Sequence, residues 1–407
     1  MLLKIILKNL FHKPLGTTLS VALLSLSTGI ISLLLLLQNQ LEQKFENDLR
    51  DIDLVVGAKG SPLQLVLSAV YHVDAPTGNI PMAEVDKIRQ LRSVQQVIPL
   101  AYGDAYQRFR ILGTDTSYIG KYSGTLREGR YFKQNMEAVV GATVANQTGL
   151  RLGQTFFGTH GEAEEGEKHD QAGYQVVGIL KESNSVLDNH ILTNIASVWT
   201  VHEHHETDDG EHHDHHDHHD EATVVTMPHE ITAALVKARS TMAVMTLPRM
   251  LNETTNLQAT IPALEINRLM KLLGIGVATL QALAIGIMLI SGFSVFIALY
   301  NRLRERRYEL ALMRSLGCSR LRLFGMLIAE GLLLALAGFA GGVLLSRTAL
   351  YLLNCTAAQD FHLVFRYNFI PAEGLLLLVA LLVGLMAALI PASKAFRMDL
   401  STALADA

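Results

Sequence analysis

LLGIGVATLQALAIGIMLISGFSVFIALY (residues 272–300), running directly into NRLRERRYELALMRSLGCSR (residues 301–320), decides the fold. The first stretch contains no charged residue. About 20 such residues, rising about 1.5 Å each, cross a hydrocarbon core about 30 Å thick. The second carries Arg302, Arg304, Arg306, Arg307, Arg314 and Arg320, with Arg322 just past its end, and positively charged flanks stay on the cytoplasmic side. The junction therefore reads as a membrane helix emerging into a cytoplasmic, Arg-rich segment.

Working outward, three more apolar stretches are long enough to span: 15–37, 321–353 and 374–392. None is expected to hold more than an isolated ionisable residue in its interior. Lys4, Lys8 and Lys13 precede the first, Lys394 and Arg397 follow the last, and the loop 354–373 offers Arg366 alone. The predicted order is an amphipathic N-terminal helix (1–14), span one (15–37), an extracytoplasmic domain (38–269), span two (270–300), a cytoplasmic segment (301–320), span three (321–353), a short outer loop (354–373), span four (374–392) and a cytoplasmic tail (393–407), with both termini inside. The first span is too long for a cleaved signal and lacks a small-residue cleavage pattern, so it reads as an anchor. Cys318 and Cys355 fall on opposite sides of the membrane and cannot bridge. A net charge of −4 without a basic face away from the membrane flanks excludes a nucleic-acid partner.

The outer region reads as α+β. Asp53–Gly57, Tyr106–Leu112, Ala138–Val140 and Tyr174–Leu180 are β-branched or apolar runs expected as strands. Pro81 opens a helical pattern with Val85, Ile88 and Leu91 on one face. Leu37, Leu41, Phe45 and Leu49 recur every four residues and call for an apolar partner. Leu264, Ile266 and Leu269 are the candidates, which would form a stalk, the alternative being an amphipathic cap on the domain. His72, Asp74 and His190 are read as surface or turn residues, and no nucleophile–base–oxyanion arrangement is visible. Two inserts cannot bury a core: an acidic loop from His160 to Asp170, and a tract from 202 to 221 built almost wholly of His, Asp and Glu.

In that tract His202, His204, His205, His212, His213, His215, His216, His218 and His219 alternate with carboxylates. Neutral imidazole beside carboxylate is a ligand set for Zn²⁺. Overlapping His-His-Asp units imply several exchangeable ions rather than one rigid site, the alternative being a solvated loop that meets metal incidentally. Gly338 and Gly342 in span three form a small-xxx-small pair, suited equally to packing within one chain or to a dimer contact. Glu330, near the inner end of that span, is expected to be exposed to water or paired with an arginine.

Order and spacing of the motifs resemble the FtsX-like permeases of the MacB class, which include macrolide exporters and lipoprotein-releasing permeases. Carrying the resemblance are Arg306-Arg-Tyr-Glu-Leu-Ala-Leu-Met-Arg-Ser-Leu-Gly317, Ile390-Pro-Ala-Ser-Lys-Ala-Phe-Arg397, Leu126-Arg-Glu-Gly-Arg-Tyr-Phe132, Gly149-Leu-Arg-Leu-Gly153 and the Val-Val-Gly runs ending at Gly141 and Gly178. Leu400 departs from the proline common in relatives, and the histidine tract is not a family feature. The resemblance implies four transmembrane helices plus an extracytoplasmic α+β domain of porter and Sabre type. It implies a non-catalytic membrane subunit in the inner membrane, in contact with lipid and acting as a homodimer. The coupling residues are Arg304, Arg306, Arg307, Glu309, Arg314 and Gly317, docking a separate cytosolic ABC ATPase that holds the ATP, with a periplasmic binding or adaptor protein as a further partner. No phosphate-cradling Gly-x-x-x-x-Gly-Lys-Ser/Thr occurs in the chain. Three functions stay open: ATP-driven mechanotransmission serving zinc homeostasis, export of a lipoprotein, lipid or peptide, and a signalling scaffold for a cell-wall hydrolase.

Overall fold

The computed structural model of the chain describes residues 14–159, 168–183, 185–208, 229–360 and 366–397. It divides into two units, one formed by 1–42 with 271–407 and the other by 43–270. Helices α1 (Pro14–Leu49) and α8 (Pro262–Glu305) each contribute residues to both.

In the domain unit, β1 (Leu54–Ala58), helix α2 (Pro62–Ala69), the short β2 (Ile80–Pro81) and α3 (Met82–Arg89) lead to the long β3 (Val94–Tyr106). Then come β4 (Phe109–Thr114), α4 (Thr116–Lys121), β5 (Leu126–Gly129), β6 (Glu137–Val140), α5 (Ala142–Thr148), β7 (Thr155–Thr159), β8 (Lys168–Leu180), β9 (Ile191–Asn194) and α6 (Ile195–Asp208). The chain closes with β10 (Glu230–Ile231), β11 (Ala233–Ala238), α7 (Thr241–Thr254) and β12 (Leu257–Thr260). The main sheet has the order β12-β1-β11-β3-β4-β9-β6-β8-β5, with β7 beside β3 and β8. Strand β3 is long enough to belong to both halves, pairing β11 through its first part and β4 through its second.

Helices cover both faces of this sheet, which is why its strands read as continuous apolar runs rather than alternating ones. Leu54 and Val56 enter one cluster with Val85, Ile88, Leu247 and Leu251, while Val55 between them enters another with Leu65, Val66 and Ile119. Likewise Ala138 and Val140 face Val144 and Phe156, and Val139 faces the opposite side.

Several expectations change. The run 106–112 is not one strand, because the chain turns between Tyr106 and Phe109 with Gln107 at φ 56°. The acidic stretch ending at Asp170 is not wholly loop, since Lys168 to Asp170 open β8 and Lys168 lies opposite Thr159, while 160–167 are outside the described residues. Phe45, Leu49, Leu269 and Ile266 do share an apolar cluster, but it is the domain's own core, so this end of the pattern caps the domain; Leu264 is exposed.

His72 and His190 are not surface residues. Each is under a tenth exposed, and their rings lie 4.3 Å apart. The Tyr102 hydroxyl donates to the Ser68 carbonyl, so its oxygen accepts from His72 Nδ1 (2.6 Å). His72 Nε2 is then the acceptor for the Tyr118 hydroxyl at 2.8 Å, and His190 Nδ1 donates to the Val186 carbonyl at 2.6 Å. Burial, reinforced by the neighbouring His190, Arg110 and Lys121, drives the His72 pKa well down, so the ring is neutral in this bonding scheme. Asp74 is exposed.

The remaining unit holds α9 (Arg307–Ser315), α10 (Arg320–Asp360) and α11 (Pro371–Phe396) with residues 14–42 of α1 and 271–305 of α8. Among the described residues four helices, α1, α8, α10 and α11, are long and apolar enough to cross a membrane. Gly338, Gly341 and Gly342 on α10 lie against Leu24, Ser25, Thr28 and Gly29 of α1, so the small-xxx-small pair packs within the chain. At Gly342 an added Cβ would strike Thr28 Oγ1, and Thr28 Oγ1 also donates to the Gly338 carbonyl at 3.2 Å. The interior of span three holds two charged residues rather than one, Glu330 and Arg347. Cys318 and Cys355 are free thiols.

Candidate functional site

Helix α9 carries the site. Its sequence alternates RYELALMRS in helical register: Leu310 and Ala311 are buried, while Tyr308, Leu312 and, just past its end, Leu316 are 51%, 45% and 80% exposed. The buried side joins Leu303 of α8, Leu323 and Leu327 of α10, and Ala392 and Ala395 of α11. Positions 308, 312 and 316 are spaced by four and fall along one helix face. The outcome is a short helix fixed by leucines underneath with an apolar stripe left on top.

Gly317 ends the helix. Its φ of +98° is a conformation that side-chain-bearing residues avoid, and it accompanies two bonds, from Gly317 N to the Arg314 carbonyl (3.1 Å) and from Cys318 N to the Met313 carbonyl (3.0 Å). This pair is a Schellman stop, which satisfies two otherwise orphaned carbonyls. The role of Gly317 is thus to shape the turn between α9 and α10. Arg304 is exposed, Arg306 and Arg314 are half-buried, and the side chains of Arg307 and Glu309 lie outside the described ones.

Beside α9 is a cavity of about 310 Å³ lined by Arg302, Leu303, Arg306, Leu327 and Glu330, and Tyr308 and Leu312 of the exposed stripe line it as well. Glu330 is 3% exposed, so the water-exposed reading gives way to a buried carboxylate whose charge acts on Arg302. Arg302 is buried as well and donates through Nη2 to Thr17 Oγ1, joining α8 to α1. Nearby, Lys394 donates to the Tyr300 hydroxyl at 2.8 Å. Sequence reasoning selected the charged residues of this region and missed Tyr308, Leu312, Leu316 and Arg302. The first three were marked by their four-residue spacing, whereas the burial of Arg302 has no local signal.

In the domain, the motif 126–132 runs from β5 into a loop fastened by charge. Arg130 donates both terminal nitrogens to the Glu137 carboxylate, one at 2.7 Å, and the backbone N–H groups of Lys133 and Gln134 add bonds at 2.8 and 3.1 Å. The Arg130 bond, aided by these N–H groups, holds Glu137 at a pKa of about 2.

The histidine candidates are divided by the description. His202, His204 and His205 lie on α6, where His202 and His205, three apart, share a helix face, although their side chains are outside the described ones. His212, His213, His215, His216, His218 and His219 lie outside the described residues. The described residues on either side of 209–228 touch: Trp199 Nε1 donates to the Glu230 carbonyl at 2.6 Å, and the Trp199 and His229 rings stack 4.2 Å apart. Among the described residues, no group of three metal-ligating side chains gathers.

Residues 16–243, more than half of the chain, match the model of the MacB-like periplasmic core domain, and residues 282–400 match that of the FtsX-like permease C-terminal region. Curated relatives include the pyoverdine export ATP-binding/permease protein PvdT of Pseudomonas savastanoi pv. phaseolicola, 23% identical over 373 residues, and that of Pseudomonas syringae pv. syringae, 23% identical over 381. Each alignment covers 88% of this chain and 53% of the relative, so the chain spans about half the length of these proteins. Among solved structures, the periplasmic region of MacB from Actinobacillus actinomycetemcomitans matches with a TM-score of 0.37 at 12% identity, covering 56% of this chain and 98% of its own. The extracellular domain of the transporter YknZ from Gram-positive bacteria matches with a TM-score of 0.31 at 13% identity, covering 51% of this chain and 98% of its own. With a periplasmic core domain between its first two membrane helices and the FtsX-like region across the rest, the chain belongs to the FtsX-like permeases of the MacB class, membrane components of ABC transporters.

Proposed function

We propose that the chain transmits ATP-driven movement from an ATPase docked on α9 to its periplasmic domain, and that this movement serves zinc homeostasis. The observation that carries the docking is the exposed stripe Tyr308, Leu312 and Leu316, flanked by arginines and set on a leucine-packed base. Exposed apolar side chains on a helix immobilised from below form a contact surface, and a rigid helix passes on a displacement as a rigid body. Helices α1 and α8, which have residues in both units, are the elements suited to carry it. In this reading the ATPase is a separate cytosolic polypeptide, two permease chains act together, both termini are cytoplasmic and a periplasmic adaptor meets the domain.

The zinc part rests on the donor set of the tract 202–221, presented from a base closed by Trp199 and Glu230. Titration calorimetry of the full chain, with and without residues 202–219, tests it. Zinc uptake by the intact chain at neutral pH, lost on deletion and fading below about pH 6 as imidazoles protonate, is expected. Absence of uptake by the intact chain ends the zinc reading and leaves the docking untouched.

Export of an organic cargo is the second reading, favoured by the name of the pyoverdine exporters among the relatives. ATP-dependent movement of such a cargo in chains lacking the histidine tract would favour it over zinc.

A further inference from the structure

Within the domain, a cavity of about 340 Å³ lies between α4 and the sheet, and neither its walls nor its charges serve the docking described above. Ile98 of β3 and Leu235 of β11, both at most 5% exposed, give it an apolar wall. Ser117, Gly120 and Lys121 of α4 form the opposite side, with Asp51, Gln96 and Lys237 at the margin.

The hydrogen bonds at this site are unevenly shared. Lys237 donates to Asp51 at 2.6 Å, so these two neutralise each other. Lys121 donates only to the backbone carbonyl of Asp48, at 3.2 Å, and rests over the Tyr122 ring 3.4 Å from its centre. An ammonium has three donors, so Lys121 retains hydrogen-bonding capacity toward the cavity it lines. The Asp48 carboxylate, fully buried and without a hydrogen-bond partner for either oxygen, is not among the cavity's walls.

We propose that this cavity binds a small organic monoanion, a carboxylate on a short apolar chain, with its charge on Lys121 and its chain against Ile98 and Leu235. Size sets the first limit, because the cavity lies at the lower end of small-ligand pockets, about 300–1,000 Å³. The unused donors of Lys121 accommodate one carboxylate, and the apolar wall disfavours a ligand that is all headgroup. Burial lowers the Lys121 pKa to about 7, opposed by the charges of Asp48 and Asp51. Lys237 and the Tyr122 ring are the other groups beside it. An anion seated on the amine restores the charged form, so binding takes up a proton at pH 8, where the amine of the empty site is mostly neutral.

Gly120 provides a test that does not disturb the fold. It lines the cavity, and a Cβ there would meet nothing within 4 Å, so Gly120→Leu fills the space without a clash at its root. Equilibrium dialysis of radiolabelled hexanoate, hexanol and inorganic phosphate against the full chain in zwitterionic nanodiscs, with empty nanodiscs subtracted, measures the site. The expected result is saturable hexanoate binding that weakens at least tenfold in both Gly120→Leu and Lys121→Met. Hexanol and phosphate bind at least tenfold more weakly than hexanoate, and the proton uptake at pH 8 is absent in Lys121→Met. Hexanoate binding no greater than that of empty nanodiscs, or unchanged in Gly120→Leu, overturns the proposal, as does equal binding of hexanol or phosphate. Neither ATP, the α9 stripe nor the histidine tract enters the measurement, so its outcome is independent of the transport reading.

Discussion

Arg347 Nη2 donates to Glu373 Oε2 at 2.9 Å, and Glu373 is wholly buried. Ser32 Oγ donates its one proton to the other carboxylate oxygen at 2.7 Å and lies 3.0 Å from Ser346 Oγ, while the Ile370 N–H adds a bond to Oε2 at 3.2 Å. One ion pair therefore fastens α1, α10 and α11 together. A charge in an apolar surrounding is tolerated only with such partners.

Breaking this pair from one side is the first prediction. Arg347→Met alone leaves a buried carboxylate uncompensated and should cost about 3–5 kcal/mol. Adding Glu373→Leu to it should recover most of the loss, because removing both charges also removes the desolvation penalty. Thermal unfolding of the two variants and the parent in nanodiscs reads the difference; equal destabilisation by the single and double changes would show that the pair is not the cause.

The second concerns the stop after α9. Gly317→Ala places a side chain on backbone at φ +98° and should cost roughly 1–2 kcal/mol. The loss is local, so hydrogen exchange at the Gly317 and Cys318 amides should accelerate while exchange in β1 and β11 stays unchanged.

A third prediction follows from the neutral His72. Its folded pKa lies below the unfolded value, so its contribution to stability is complete above about pH 6.5 and declines as pH falls below that. Compared with His72→Asn, which tolerates the positive φ of 56° at this position, the parent should lose stability as pH falls below 6.5, the slope approaching about 1.4 kcal/mol per pH unit roughly one unit lower. Taking the difference between the two melting curves across pH isolates this one proton from the other titrating groups, and a flat difference contradicts the bonding scheme.

The fourth is acid sensitivity through Glu137. Its pKa is lowered from 4.5 to about 2, so the stability it adds is present above pH 4.5 and is lost as pH falls toward 2. Glu137→Gln should flatten the unfolding profile in that window alone, and salt should weaken the effect in the parent because Arg130 is half exposed.

The membrane helices were legible because an uncharged run needs no partner to be recognised. The α+β character of the domain was legible for a related reason: strands buried on both faces leave unbroken β-branched runs such as Leu54 to Val56. Long-range polar pairs left no comparable mark. Arg347 and Glu373 stand 26 positions apart, and His72 meets Tyr118 only because α2 and α4 pack on the same face of the sheet. The exposed stripe on α9 was an intermediate case. Its spacing was present in the sequence, but the arginines around it drew the reading toward charge, and only the burial of Leu310 and Ala311 shows which side of α9 remains outward.

The central claim is that α9 receives an ATPase through Tyr308, Leu312 and Leu316. ATP turnover by the complex purified from its native membrane through a tag on this chain, compared between the parent and Leu312→Asp with Leu316→Asp, tests it most directly. The parent should bring ATP hydrolysis with it, and the double variant, folded to the same melting temperature, should lose at least nine-tenths of that activity. Undiminished hydrolysis with the double variant, or hydrolysis by the chain purified free of every other polypeptide, would contradict the account.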